Sequence, residues 1–263
     1  MKKHLVILLL FISSLLVFVS CNDAVTPGGP SVDPKLTTPL SLEFREAGSL
    51  YAYEFQPGGT CDIQYSLDGK YQADLPYLSI DNENPIAVPA GTTVTLFGNY
   101  GSTKKANNVS ISTDVNCYVY GNVMSLIDPV NFATADTVYE KSFYNLFALS
   151  TNIYNHETKD IYLPATNLAE NCYDSMFSWS KNITRAPELP AKKLVPNCYY
   201  HMFRCSDKLN YVKCLATDIS ASSCLTDWLD DVSATGTFVK DPAMNNWPEG
   251  GSGIPASWTI QNN

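Results

Sequence analysis

The chain has 263 residues, of which 45% are hydrophobic and 12% are aromatic. This composition can fill a packed core, so global disorder is excluded. The formal net charge is −9, from 17 basic and 26 acidic residues. A diffuse acidic balance repels phosphate backbones and anionic lipid headgroups, so nucleic acid is not expected as a partner.

Residues 1–20 have the pattern of a bacterial export signal. Two lysines precede the apolar run Leu5–Val19, which is too short to span a bilayer comfortably. Cys21 follows at the point where cleavage is expected, and its surroundings resemble a lipobox, although Phe18 stands where that pattern favours Leu. We therefore expect a lipid anchor on Cys21. The alternative is an ordinary secretory signal with a chance cysteine.

Residues 21–39 are predicted to form a flexible tether. This stretch contains four prolines and two glycines and almost no large apolar side chains. Such a segment cannot offset the entropy of ordering by burying apolar surface. Together with a lipid on Cys21, the tether would hold the folded part away from a membrane surface.

Residues 40–123 are predicted to be β throughout. Apolar and polar residues alternate along several short runs, and Asp68-Gly69 is a strong hairpin signal between two of them. Short strands with this period of two predict an antiparallel β-sandwich-like domain. The predicted strands lie within 40–45, 51–55, 61–66, 94–97, 109–112 and 117–120.

The stretch Leu163–Cys214 consists of two consecutive copies of a 26-residue unit. A third, degraded copy continues the same register to Leu229, and an imperfect copy with a 30-residue offset precedes them around 142–153. Repeats of this length with recurring apolar positions predict a solenoid, in which each unit buries its apolar face against its neighbours. The pairs that define the register are Leu163 and Leu189, Cys172 and Cys198, Met176 and Met202, and Phe177 and Phe203.

Each regular copy is expected to contain one short strand and one short helix or irregular turn. The helix or turn is expected at Thr166–Met176 and in the equivalent part of the next copy. The strands are expected around 183–186, 209–213 and 236–240, where they would stack as a parallel ladder. The tail from Asp241 is rich in Gly, Pro and Trp and is expected to cover the last copy.

The repeated motif, LPA followed by CYDSMF in the first copy and by CYYHMF in the second, resembles the BspA-like leucine-rich repeats of bacterial surface lipoproteins. The tail Cys214–Asn263 is similar to the C-terminal cap of that family. The β region followed by Tyr120–Ile127 is similar to its companion domain. The resemblance implies a leucine-rich-repeat solenoid on a lipid-anchored outer-membrane protein that faces the cell exterior and acts in adhesion or recognition.

The expected fold class is α+β and mostly β. It joins an N-terminal antiparallel β-sandwich-like domain to a short leucine-rich-repeat solenoid with a C-terminal cap. The expected segments are a signal peptide at 1–20, a tether at 21–39, the β domain at 40–123 and the capped solenoid at 124–263.

The cysteines point to structure rather than to chemistry. Three of them recur at one repeat position, which favours small buried thiols, and none has the spacing of a metal site. Disulfides between Cys61 and Cys117 and between Cys205 and Cys214 are both left open. No nucleophile, metalloprotease or phosphate-loop motif occurs. We therefore predict no catalytic residue, no metal and no cofactor.

The sequence favours a non-catalytic surface protein that binds extracellular protein or cell-surface partners through the repeats. The outward residues of the strand ladder, and hence the candidate binding residues, are Arg185, Tyr211 and Lys213. Contact with a membrane is expected only through the N-terminal lipid. One alternative is a stalk or assembly component without a soluble ligand. The other is a glycan-binding accessory protein of a polysaccharide-uptake system that uses aromatic residues of the β domain such as Tyr51, Tyr53, Tyr71 or Tyr77.

Overall fold

The computed structural model describes residues 32–54, 61–79, 84–100 and 109–263. The predicted signal peptide, the predicted lipid-anchor residue Cys21 and most of the predicted tether lie outside these ranges. The described residues from Val32 to Asn263 belong to one compact unit.

The described part of the chain is mostly β, which confirms the expected predominance of strands. Three 3-10 helices accompany the strands, at Pro34–Thr37, Val123–Leu126 and Phe132–Thr134. No helix in the described ranges is long and apolar enough to cross a membrane. The strands are β1 (Ser41–Phe44), β2 (Gly48–Glu54), β3 (Ile63–Ser66), β4 (Ile86–Val88), β5 (Thr93–Gly98), β6 (Val109–Thr113), β7 (Cys117–Asn122), β8 (Ile153–Asn155), β9 (Ile161–Tyr162), β10 (Tyr211–Cys214), β11 (Thr237–Lys240) and β12 (Thr259–Asn262).

The N-terminal strands form two sheets. The larger has the order β3-β5-β1-β7-β8, with β9 also paired to β7, and the smaller has the order β4-β2-β6. Pairing among β1 to β7 is antiparallel. Each of the six stretches predicted as strands overlaps one, and the alternation places Leu42 and Phe44 in the core with no exposed surface.

Strand β7 joins this region to the repeats. It pairs in parallel with β8 and β9, both of which follow residue 123, so the larger sheet continues across the predicted domain boundary. Gly121 lies in β7 with φ of +96°, and a Cβ there would lie 2.1 Å from the carbonyl oxygen of Pro39. Only glycine allows the N-terminal segment to approach the strand this closely.

The segment that follows each LPA motif is a run of tight turns, so the irregular-turn alternative is the one observed. A residue with positive φ recurs every fourth position in the first copy, at Asn171, Ser175 and Trp179. A left-handed residue in every turn prevents an α-helix from forming. The equivalent positive-φ residues in the other copies are Lys141, Asn145, Leu149, Asn197, His201, Cys205, Ser223, Asp227 and Asp231.

Backbone amides in these turns serve two purposes in alternation. The N–H of Met176 donates within its own copy to the Tyr173 carbonyl at 3.2 Å, whereas the N–H of Phe177 donates to the Met202 carbonyl of the next copy at 2.8 Å. The same alternation runs along the whole segment, so successive copies are connected by a row of backbone hydrogen bonds.

The predicted strand ladder forms in part. β10 overlaps the predicted stretch 209–213 and β11 lies within 236–240, and β10, β11 and β12 pair in parallel. The stretch 183–186 contains only a single bridge, from Arg185 to Tyr211. Pro187 follows directly and lacks the N–H that a continued ladder would need.

Side chains of equivalent positions stack through the core. Phe147, Phe177 and Phe203 form one column with centroid separations of 5.5 Å, and the buried hydroxyls of Ser180 and Ser206 donate to the carbonyls of Phe147 and Phe177. The tail from Asp241 packs on the third copy, where Trp247 stacks on Trp228 at 6.0 Å. A second column runs through Phe143, Tyr173, Tyr199 and Trp228.

All seven described cysteines are free thiols. Neither of the two disulfides that the sequence leaves open, Cys61–Cys117 and Cys205–Cys214, is formed. The recurring Cys172, Cys198 and Cys224 are buried, as predicted. Burial raises the pKa of the Cys172 thiol to about 12.

Candidate functional site

The three predicted binding residues, Arg185, Tyr211 and Lys213, line one surface cleft of about 520 Å³. All three side chains are partly exposed. The cleft lies between the first regular copy and the two copies that surround it, and the N-terminal 3-10 helix closes it on one side. Among the other lining residues are Asp33, Lys35, Asn155, Asp160, Tyr162, Pro164, Pro187, Glu188 and Pro190.

Strand β10 supplies one wall of the cleft. Tyr211 and Lys213 lie on the same side because alternate residues of a strand point to opposite faces, and the intervening Val212 is fully buried. Arg185 is held beside them by its parallel bridge to Tyr211. The N–H of Ala186 donates to the Tyr211 carbonyl at 2.9 Å and fixes this register.

Asn155 takes the place of a strand partner for Arg185. Its Oδ1 accepts from the backbone N–H groups of Thr184 at 2.8 Å and Arg185 at 3.0 Å. Its Nδ2 donates to the Arg185 carbonyl at 2.9 Å. One side chain therefore satisfies both backbone groups of Arg185, and the position from which the guanidinium enters the cleft is fixed.

The 3-10 helix Pro34–Thr37 forms another wall. The Leu36 carbonyl accepts from Asn122 Nδ2 at 3.1 Å, and the Thr38 carbonyl accepts from the Asn122 N–H at 2.8 Å. Lys35 Nζ lies 5.9 Å from the centroid of the Tyr162 ring. The last residues of the predicted tether, 32–39, thus contact the folded unit, because Asn122 and Gly121 of β7 accommodate them.

The charged groups of the cleft are balanced. The lining contains three cations and three carboxylates, so its formal charge is zero. Each cation lies beside one carboxylate, and the side chains keep between 23% and 54% of their surface exposed. The pairs are Lys35 Nζ with Asp33 Oδ2 at 3.0 Å, Arg185 Nε with Asp160 Oδ1 at 3.0 Å, and Lys213 Nζ with Glu188 Oε2 at 3.0 Å.

Contacts within the cleft shift three pKa values. The hydrogen bond from Lys35 lowers the pKa of the Asp33 carboxyl, and the same bond raises the pKa of the Lys35 ammonium. Burial, together with the nearby Asp160 carboxylate, raises the pKa of the Tyr162 phenol. At neutral pH the Lys35–Asp33 pair is therefore fully charged and Tyr162 is a neutral phenol.

Most of these partners could not be identified as site residues from the sequence. The four extra residues of the imperfect copy fit a longer loop around Asn155–Asp160, and this insertion is the signal that points to Asp160 and to the nearby Tyr162. Lys35 belongs to a stretch with a tether-like composition, and nothing in the sequence pairs it with Tyr162.

The β-domain tyrosines of the alternative prediction do not come together as one site. Tyr51 and Tyr53 stack with a centroid separation of 6.0 Å and an interplanar angle of 16°, and Tyr53 is exposed. Tyr77 is 60% exposed on its own segment. Tyr71 is partly exposed and packs against the buried Phe97 with a centroid separation of 5.3 Å.

Groups suited to acid–base or metal chemistry are dispersed. Among the described residues, no cluster of three or more His, Cys, Asp or Glu side chains could hold a metal ion. The one described carboxyl with a raised pKa is Asp174, at about 6 because of burial, and it does not line the cleft. His201 Nε2 lies 3.5 Å from Asp227 Oδ2, and neither residue lines the cleft.

Comparison of the chain with protein-family models, with curated proteins and with solved structures gave no match.

Proposed function

We propose that this chain is a non-catalytic, lipid-anchored protein of the outer cell surface that recognises extracellular protein or cell-surface partners. In this proposal residues 124–263 are a short leucine-rich-repeat solenoid of the BspA-like type, and the two N-terminal sheets form a sandwich-like domain before it. The row of backbone hydrogen bonds between copies and the stacked phenylalanines support the solenoid assignment.

The observation that carries the proposal is the cleft that contains Arg185, Tyr211 and Lys213. An outward register on a strand ladder predicts that these residues share one face, and all three line the same concave surface. Concave surfaces with an aromatic ring and a few fixed polar groups are the usual places where proteins bind ligands. Tyrosine and arginine also dominate the energetics of binding sites.

The test is a binding screen of residues 22–263 against extracellular matrix proteins and a glycan array. For any partner found, Tyr211→Ala and Arg185→Ala are each expected to weaken binding at least about tenfold. Val130→Ala is the matched control, because Val130 is 69% exposed and lies away from the cleft lining. Binding that is unchanged by both cleft substitutions would remove the cleft from the proposal.

The second candidate is glycan binding by the β domain, and the stacked pair Tyr51 and Tyr53 is the observation that favours it. Removal of residues 40–123 is not a clean test, because β8 and β9 would lose their partner β7. The Tyr53→Ala substitution is the sharper experiment. It is expected to abolish binding to a glycan under this candidate and to leave binding unchanged under the first.

The surface location has its own test. A Cys21→Ser variant is expected to lose the lipid and to appear in the soluble fraction, whereas the unaltered chain is expected in the outer membrane. Protease added to intact cells is expected to degrade the unaltered chain. Full protection in intact cells with degradation after lysis would place the protein on the periplasmic face.

A further inference from the structure

We propose that the cleft recognises an uncharged, hydroxyl-rich ligand, the saccharide portion of a glycan on the partner. This inference rests on the proposed function, because it names the chemical group that the same cleft would bind. It differs from the second candidate, since the site is formed by Arg185, Tyr211 and their neighbours rather than by the β-domain tyrosines.

The balance of charge argues for an uncharged ligand. Each of the three cations in the cleft is already neutralised by a carboxylate within 3.0 Å. An anionic ligand would have to displace a carboxylate from its partner, and a cationic ligand would have to displace a lysine or arginine. Both exchanges break one ion pair to make another, so neither charge sign gains much.

The polar atoms of the Arg185–Asp160 pair that the ion pair does not use can form hydrogen bonds with hydroxyl groups of a ligand. Arg185 directs Nε and Nη2 to the same oxygen, Oδ1 of Asp160. Within the described ranges, Arg185 Nη1 and Asp160 Oδ2 therefore keep their hydrogen-bonding capacity. A donor and an acceptor that lie side by side match a pair of adjacent sugar hydroxyls, because each hydroxyl both donates and accepts.

Two tyrosine rings supply the apolar part of the site. Tyr162 and Tyr211 both line the cleft and are both partly exposed. Each ring offers a flat apolar face with a hydroxyl at one end. The C–H groups on one side of a pyranose form a surface of the same character, so ring and sugar can pack face to face while the hydroxyls reach the ion pairs.

The backbone of the cleft argues against a peptide that adds as a strand. Such a peptide needs free main-chain groups along an edge. Here the N–H of Arg185 is bonded to Asn155, and the N–H groups of Ala186 and Leu189 are bonded to the Tyr211 and Lys213 carbonyls. The remaining positions include three prolines, which have no N–H: Pro164, Pro187 and Pro190.

The size of the cleft agrees with this ligand. Its volume of about 520 Å³ lies within the range of sites that enclose a small molecule. It has room for the end of an oligosaccharide chain. The cleft would therefore bind a terminal or branch-point sugar unit of a larger molecule.

The experiment is a titration of residues 22–263 with neutral and anionic saccharides at two salt concentrations. The neutral probes are disaccharides of glucose, galactose, mannose and N-acetylglucosamine, and the anionic probes are sialyllactose and a sulfated heparin disaccharide. Binding is followed by calorimetry and by saturation-transfer NMR. We expect at least one neutral probe to bind with an affinity that changes less than about twofold between low and high salt.

Variants assign the binding to the cleft. Tyr211→Ala is expected to lower the affinity for the neutral probe at least about tenfold. Tyr211→Phe keeps the ring and is expected to lower that affinity no more than about threefold. Asp160→Asn is expected to lower the affinity for the neutral probe at least about fivefold, because the substitution removes the carboxylate that orients Arg185. Tyr53→Ala is the control and is expected to leave the affinity unchanged.

Three results would overturn the inference. The first is binding of the anionic probes alone with a steep loss at high salt. The second is neutral binding that survives Tyr211→Ala but is lost in Tyr53→Ala. The third is a protein partner that needs Tyr211 and Arg185 after enzymatic removal of its glycans. That last result would leave the proposed function intact, so failure of the inference and failure of the proposed function remain distinguishable.

Discussion

Ser206→Ala is expected to destabilise the fold by about 0.5–1.5 kcal/mol. Ser206 is fully buried, and its hydroxyl donates to the Phe177 carbonyl of the preceding copy at 2.7 Å. Ser180 makes the equivalent bond to Phe147 at 2.7 Å. These hydroxyls connect neighbouring copies at a position where alanine leaves the acceptor with one bond fewer.

The size of the expected loss follows from the hydrogen bond that the Phe177 carbonyl retains in the variant. The Phe177 oxygen still accepts from the Ser180 N–H at 3.1 Å, so it is not fully orphaned when the hydroxyl is removed. The loss is therefore expected to lie near the net value of one buried hydrogen bond, about 0.5–1.5 kcal/mol, rather than near the full desolvation cost. For a domain of this size, that corresponds to a decrease in Tm of roughly 1–6 °C.

Urea unfolding followed by tryptophan fluorescence provides the assay, since the chain has four tryptophans. The midpoint is expected to fall while the slope m is unchanged, because the surface exposed on unfolding stays the same. Ser222→Ala is the control, since Ser222 is exposed. A Ser206→Ala variant within about 0.3 kcal/mol of that control would refute the view that these hydroxyls hold the copies together.

Three further predictions concern single residues. Gly121→Ala is expected to cost at least about 2 kcal/mol in urea unfolding, because a Cβ would overlap the Pro39 carbonyl at positive φ; a midpoint equal to that of the unaltered chain would contradict this. Asp174→Asn is expected to stabilise the fold by roughly 1 kcal/mol at pH 7.5, after allowance for partial solvation, and to have little effect at pH 4. The reason is that burial raises the Asp174 pKa to about 6, so stability of the unaltered chain falls as pH rises from about 4 to 6, and equal effects of the substitution at both pH values would refute it. Tyr173→Phe is expected to leave the midpoint unchanged or raise it, because the buried Tyr173 hydroxyl has no hydrogen-bond partner among the described residues; a loss above about 1 kcal/mol would indicate a bound water.

The repeat spacing could be predicted from the sequence because the side chains that define it are buried in columns. Phe177 and Phe203 occupy equivalent positions in successive copies and stack at 5.5 Å. The recurrence of phenylalanine every 26 residues therefore reflects direct contact between the two rings. The turns between them were not predictable in detail. Positive φ at Trp179 and His201 is unusual for such side chains, and only the hydrogen bonds to the next copy make it necessary.

The candidate site also has residues that the sequence predicts and partners that it does not. Period-two alternation along β10 was enough to place Tyr211 and Lys213 on one face. The other residues of the cleft come from distant parts of the chain. Lys35 lies beside Tyr162 because Gly121, which has no Cβ, leaves room for the N-terminal segment. The amide of Asn155 that replaces a strand partner for Arg185 also has no local sequence signal.

Backbone amides, serine hydroxyls and stacked rings at equivalent positions join the copies, so the chain could gain or lose whole 26-residue units that keep those positions. A unit inserted after Ser233 would meet the same row of donors and acceptors that the tail now meets. The cleft would not change, because it is formed by the N-terminal segment and the first copies. Chain length and cleft geometry are therefore separable in this architecture: added copies would change how far the tail lies from the cleft, while the residues that line the cleft stay the same.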